Sequence, residues 1–160
     1  MSAARPQAPC RESPSGFPVP RYVTLKYDTV NARGGPGDDY RLLWVYHAKA
    51  LPLLVIEETI DWRRVRDPDG DFAWLHRRTL IDKQISVMRV AKSPLPLRAY
   101  PKPNAAVIAE LAPHAVAALK ECKDGWCKVR AGAVEGYAPR DGLWGADTPR
   151  AVAGCGKDRR

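Results

Sequence analysis

The chain has 160 residues and carries 26 Lys and Arg against 18 Asp and Glu, a formal charge of +8. With 45% apolar and 28% charged residues it is too hydrophobic to be wholly disordered and too interrupted for a membrane span. Its 15 prolines, against about 8 at average usage, exclude long unbroken helices and leave one ordinary domain or two very small ones.

Residues 1–20, MSAARPQAPCRESPSGFPVP, hold five prolines and almost nothing large and apolar. They read as an extended, disordered Pro-rich leader. No apolar run of signal-peptide length follows a basic start. Either the chain is cytosolic, or Met1 is an internal methionine near the processing site of an exported precursor. From Tyr22 the sequence reads as short strands. Tyr22–Val30 alternates apolar and polar residues, and LPLLVIEE, WRRVR, FAWL, VAALKEC, WCKVR and GYAP follow at short intervals. Between them stand NARGGPGDD, RDPDGD, KSPLP, YPKPN, KDG and RDG, all turn formers. The Ala-rich stretch Ala105–Glu121 competes as a helix, but Pro113 splits it into halves too short to be stable alone, so strand is preferred. Residues 147–160 read as a flexible basic tail. The pattern predicts an all-β protein of small barrels or sandwiches.

Internal repetition divides the strands into two copies. Arg33, Pro36 and Leu54 match Arg98, Pro101 and Leu119 at an offset of about 65; Trp62, Val65 and Arg66 match Trp126, Val129 and Arg130 at about 64; Trp74 and Leu80 match Tyr137 and Leu143 at about 63, with each one-residue loss falling in a turn. The copies run from 22 to 82 and from 85 to 146. Units of about 60 residues are marginal alone, so the two are expected to pack on each other.

The run Val30, Asn31, Arg33, Gly35, Pro36, Gly37, Tyr40 resembles the opening of bacterial SH3-like domains, and Trp62, Val65, Gly70, Trp74 and Leu80 fall where that family has its later strands, distal turn and closing Leu. PSGFPVPRYVTLK, CKDGWCKV and LWG resemble exported bacterial proteins with tandem modules of this kind. The resemblance implies two tandem SH3-like barrels packed together and a wall-targeting, non-catalytic binding role. The second copy departs from it, with LPLRAYP for VNARGGP and His114 where Gly is usual. In physical terms, the glycines around Pro36 permit a sharp turn that Asn31 can open by bonding its own backbone, and Arg33 either clamps that loop through carbonyls or faces an anion; the clamp is preferred, since Arg98 recurs without the glycines.

Cys122 and Cys127 bracket an Asp-Gly turn, which opposes them across a two-residue hairpin and makes a disulfide worth about 2 kcal/mol geometrically plausible. Two buried free thiols are the alternative. A metal site is disfavoured, since no further Cys or His completes four ligands. A disulfide implies an oxidising compartment and, with the resemblance, export to the periplasm or beyond. Cys10 and Cys155 lie in the two ends, paired or free.

No catalytic motif stands out. His47, His76 and His114 are scattered, and Asp67, Asp69 and Asp71 read as a hairpin turn rather than a calcium loop because the late Glu is missing. No cofactor or metal is expected. A binding surface is better supported. Trp62, Arg64 and Arg66 share one strand face, as do Trp126, Lys128 and Arg130, with His76, Arg77 and Arg78 nearby. The tryptophans either line that surface or are buried between the copies. Tyr22, Tyr40, Trp44, Trp62, Arg64 and Trp74 are the candidate groove residues, with Tyr27 a further aromatic, and some of these must also be core. Two functions follow: a monomeric, exported, non-catalytic binding or scaffold protein for cell-wall peptides or an envelope protein, and a cytoplasmic small-barrel nucleic-acid-binding protein.

Overall fold

The structure, a computed structural model, describes residues 13–147 and Pro149. Cys10, Cys155 and the outer parts of the leader and tail lie outside the described residues.

The chain forms two antiparallel sheets, each curled around its own core. In module 1, β1 (Arg21–Leu25), β2 (Val30–Arg33), β3 (Leu42–Tyr46), β4 (Pro52–Glu58), β5 (Trp62–Arg66), β6 (Phe72–His76) and β7 (Leu80–Ile81) assemble in the order β3-β2-β6-β5-β4-β1-β7. In module 2, β8 (Ser86–Met88), β9 (Leu95–Arg98), β10 (Val107–Leu111), β11 (Val116–Lys123), β12 (Trp126–Ala131) and β13 (Val134–Pro139) assemble as β10-β9-β13-β12-β11-β8. A short 3-10 turn closes each, at Arg77–Thr79 and Arg140–Gly142. The expected all-β pair of tandem small barrels is what the chain forms, and Ala105–Glu121 is strand on both sides of Pro113.

The pleat explains the cores. Val23, Leu53, Val55, Val65 and Leu75 fill module 1, and Val87, Leu97, Val129 and Ala138 fill module 2, all without exposed surface. Each Val or Leu so buried contributes about 1.5–3 kcal/mol. Tyr22–Val30 is two strands rather than one. At Lys26, whose N–H donates to the Thr79 carbonyl at 2.8 Å, the chain bends and re-enters the sheet beside β6 instead of β4. Strands β3, β8 and β10 carry too little alternation to stand out in the sequence, and β9, which does alternate, is only four residues long and holds Pro96.

The repeat is visible in the register. Arg33 faces Trp74 as Arg98 faces Tyr137, and Arg64 faces Trp74 as Lys128 faces Tyr137. One match shifts by a residue. Val55 pairs with Val65 as Leu119 pairs with Val129, so Val55, and not Leu54, is the counterpart of Leu119; Leu54 and Ala118 both face the Arg of the next strand. Identity of residue type misled there, since strand pairing fixes register and a Leu-Leu coincidence does not. Two left-handed residues coincide as well: Ala50 and His114, both at φ 63°, donate their N–H to Leu25 and Arg89 carbonyls ahead of β4 and β11. A side chain in this conformation is strained by about 1–2 kcal/mol. His114→Gly is expected to raise stability by roughly 0.5–1 kcal/mol, after glycine's own entropic cost, measured by urea unfolding.

The second cross-strand pair back from the tip differs in chemistry but not in place between the β4–β5 and β11–β12 hairpins. In module 2 it is the Cys122–Cys127 disulfide, Cα atoms 4.0 Å apart. In module 1 the same pair is Glu58 and Arg63, whose Oε2 and Nε lie 3.1 Å apart with side chains 2% and 4% exposed. Arg21 meets the same oxygen at 2.9 Å and Asp82 at 3.2 Å. Ser15 donates its N–H to Glu58 Oε1 at 3.0 Å, and its hydroxyl donates to the same atom. The described part of the leader is therefore tied to module 1 at Ser15, within what the sequence marks as an extended, disordered leader without a core; a buried carboxylate needs donors, and Ser15 supplies two.

The modules meet through Trp144. Its ring lies edge-on to Tyr22 at 5.3 Å and its Nε1 donates to the Pro52 carbonyl at 2.9 Å. Met88 of β8 packs on the module 1 core, and Gln84 donates to the Asp147 carbonyl at 3.1 Å and to that of Gly145. Burial pulls the Glu58 carboxyl upward, but the Ser15 hydrogen bonds and the Arg21 charge outweigh it and hold it below its ordinary value. Its stabilisation is thus complete at neutral pH and is lost as pH falls through the folded-state value. Glu58→Gln is expected to cost about 3–5 kcal/mol at pH 7 and to flatten the acid limb of stability, as read by thermal unfolding between pH 7 and 3.

Candidate functional site

The surface of module 1 opposite its core carries a shallow groove between β2, β3, β5 and β6. Arg33, Leu43, Arg64, Phe72 and Trp74 line it around about 230 Å³ of open space. A bulge builds it. Ala32 pairs with Trp44 but Arg33 pairs with Leu42, so Leu43 is the extra residue and turns outward, 40% exposed. Trp44 and Tyr46 face the other way and pack on the core, edge-on to each other at 5.9 Å. The Tyr46 hydroxyl donates to Asp67 Oδ2 at 2.9 Å, and burial together with the Asp67 charge raises its pKa strongly. Asp67 Oδ1 accepts the N–H groups of Asp69 and Asp71, both at 3.0 Å. DPDGD is thus a side-chain-capped hairpin turn.

The expected groove residues separate accordingly. Arg64 and Trp74 come together in the groove. Arg64 lies over Phe72 at 5.2 Å and 3.6 Å from Glu57. Trp62 lies further along β5, edge-on to His76 at 5.2 Å, outside the groove. Trp44 is directed to the core by the bulge, and Tyr22 is taken up by Trp144 at the module junction. Burial, with Asp147 next in effect, raises the Tyr22 hydroxyl pKa. Leu43 and Phe72 escaped the sequence reading; the bulge that exposes Leu43 has no local sequence signal.

Among the residues given structural roles, Arg33 clamps its loop as expected, Nη1 donating to the Tyr40 carbonyl at 3.1 Å, and Arg98 does the same to Ala105 at 2.9 Å. Asn31 stands exposed in β2, paired with Val45, and its side chain bonds no backbone among the described residues; the Gly34 N–H closes the loop instead, donating to the Arg41 carbonyl at 2.9 Å. Pro36 lies half-buried in that loop between Gly35 and Gly37. The glycines serve a different need from turn flexibility. The Tyr40 ring lies flat on Gly35, where a Cβ would meet Tyr40 Cδ1 at 2.1 Å.

Module 2 has a groove of its own, shifted toward the tip of the β11–β12 hairpin, about 290 Å³, lined by Pro101, Lys123, Trp126, Lys128 and Tyr137 with Glu121 and Asp124; of these, Lys128 and Tyr137 correspond to Arg64 and Trp74 of the module 1 groove. Trp126 therefore lines a surface and is not buried between the copies. Lys128 replaces Arg64, lying 6.0 Å over Tyr137 and 3.5 Å from Glu135, and the bulged Ile108 stands where module 1 has Leu43. The Asp124-Gly125 turn, with φ of 52° and 80°, is the expected two-residue hairpin. Gly35→Ala is expected to destabilise by about 1–3 kcal/mol through overpacking, and by well under half as much in a Tyr40→Ala background, in a double-mutant cycle by denaturant titration.

A model of the bacterial SH3 domain matches the chain twice, over residues 26–82 and 91–145. No curated protein matches. Among solved structures, NlpC1 and NlpC2 of Trichomonas vaginalis are each 14% identical with a TM-score of 0.37, over 79% of this chain and 46% and 48% of theirs. The chain spans about half the length of each.

Proposed function

Because this chain belongs to the bacterial SH3 domain family, we propose that it is a non-catalytic binding module of the cell envelope whose module 1 groove holds a cell-wall peptide or an extended segment of an envelope protein. The observation that carries this reading is the groove itself. Exposed Leu43 and Phe72 and half-buried Trp74 offer apolar and aromatic surface, and Arg33 and Arg64 flank it with positive charge. An extended peptide suits such a place, since alternate side chains reach the apolar floor while its carboxylates or carbonyls meet the guanidinium groups. The module 2 groove, with lysines and carboxylates around Trp126 and Tyr137, would receive a neighbouring part of the same polymer.

The disulfide supports an exported location, because such a bond persists in oxidising compartments. It weighs against the cytoplasmic nucleic-acid reading, which rests on the net charge and on the strands that carry Trp, Arg and Lys. Retention on purified peptidoglycan tests the proposal. Leu43→Ser combined with Phe72→Ala, both exposed, is expected to weaken retention about tenfold or more with unchanged circular dichroism. Undiminished retention, or tighter binding to single-stranded nucleic acid at 0.15 M salt, would overturn it.

A further inference from the structure

Module 1 has a second concavity, away from the groove, between the described N-terminal segment and the tip of the β4–β5 hairpin. It encloses about 600 Å³, within the range of small-ligand sites. Pro14 and Phe17 form one wall, Ile60 and Asp61 the other, Arg63 the floor, and His76, Arg77, Arg78 and Asp82 the rim.

The charges there are nearly all matched. Arg77 Nε lies 3.1 Å from Asp61, Asp82 meets Arg21, and Arg21 and Arg63 share Glu58. Arg78 is left over: among the described residues no carboxylate lies within ion-pair distance of it. Its guanidinium is nonetheless held in place, Nε donating to His76 Nδ1 at 3.2 Å and Nη2 lying 3.4 Å from Nε2. His76 Nδ1 also accepts the Arg78 N–H at 3.2 Å. Burial and the Arg78 charge keep the imidazole pKa below its ordinary value, so at neutral pH the ring is uncharged and acts as an acceptor that orients Arg78. Among the described residues no bond engages Arg78 Nη1, whose two N–H groups remain for a ligand.

Apolar surface stands beside this cation. Ile60 is 76% exposed at the hairpin tip and Phe17 is 38% exposed. Module 2 has none of these features at the corresponding positions: Asp124 replaces Ile60, Asp141 replaces Arg78, Pro139 replaces His76 and Cys127 replaces Arg63. The residues that line the cleft are thus particular to module 1 and do not follow from the barrel that the two copies share.

We propose that this cleft binds the carboxyl terminus of a peptide ending in an aliphatic residue, with the carboxylate on Arg78 and the side chain between Ile60 and Phe17. A guanidinium with free N–H donors is matched by a carboxylate. Asp61 and Asp82 are matched by Arg77 and Arg21, so Arg78 is the one charge left to offset, which suits a single negative charge better than a dianion such as phosphate. The site does not depend on the groove, and the two fail separately.

The test is a titration of the full chain, followed by amide and indole NMR shifts, with N-acetyl-Gly-Leu, its C-terminal amide and inorganic phosphate. The free acid is expected to shift Ile60, His76, Arg78 and the Trp62 indole, with the amide and phosphate at least about tenfold weaker. Arg78→Gln and Ile60→Ser, both surface changes, are each expected to weaken the acid by about tenfold, while Leu43→Ser in the groove leaves it unchanged. Equal binding of acid and amide, preference for phosphate, no shift at about 10 mM ligand, or full binding by Arg78→Gln would each overturn the assignment.

Discussion

The arrangement turns on one cross-strand position. Opposed residues next to a hairpin tip lie close enough to bond to each other, and whatever occupies that place sets the geometry of the tip. Module 2 closes it covalently with Cys122–Cys127, and module 1 closes it with Glu58 and Arg63. The loop lengths are equal, so backbone shape is conserved while the bond is exchanged. A disulfide acts chiefly by restricting the unfolded chain. A buried ion pair carries a desolvation cost that only further hydrogen bonds offset. Arg63 Nη1 accordingly donates to the Thr59 carbonyl at 2.7 Å and to that of Trp62 at 3.1 Å, fixing the tip from beneath.

From that position the two copies diverge in chemistry on a common frame. The Arg33–Trp74 and Arg98–Tyr137 pairings place a cation and an aromatic ring at matching points of the two sheets, while the groove beside them lies among β2, β3, β5 and β6 in module 1 and nearer the hairpin tip in module 2. The groove linings differ. Arg64 rests on Phe72, whereas Lys128 is drawn to Glu135, the residue at Phe72's position, which leaves module 2 more polar and of mixed charge. Trp144 joins the copies by giving its ring to Tyr22 and its N–H to Pro52. An indole half-buried with its donor satisfied is a common way to seal a junction.

Much of this was legible in the chain. Repeated Trp-x-x-Val-Arg runs, turn clusters and the Asp-Gly hairpin carry local signals, and they gave the barrels, the repeat, the disulfide and the Arg33 clamp. Three features were not legible, each because it depends on partners distant in sequence. A bulge decided that Leu43, and not Trp44, faces outward, since an extra residue inverts the alternation beyond it. The role of Tyr22 depended on Trp144, which looked like a mere ending. The inward turn of Arg63 depended on Glu58, Arg21 and Ser15, whereas alternation alone marks that position as core and says nothing of a charge there.

A disulfide and an ion pair also differ in valence, and that difference bears on the cleft of module 1. Sulfur atoms joined to each other ask nothing further of their surroundings. Glu58 has two oxygens and several lone pairs to satisfy in a place without water, so it recruits Arg21 from β1 and Ser15 from the preceding segment. Ser15 thereby holds Pro14 and Phe17 alongside the hairpin, where they line the cleft. The ionic solution is the less self-contained one, and the cleft is a consequence of that incompleteness.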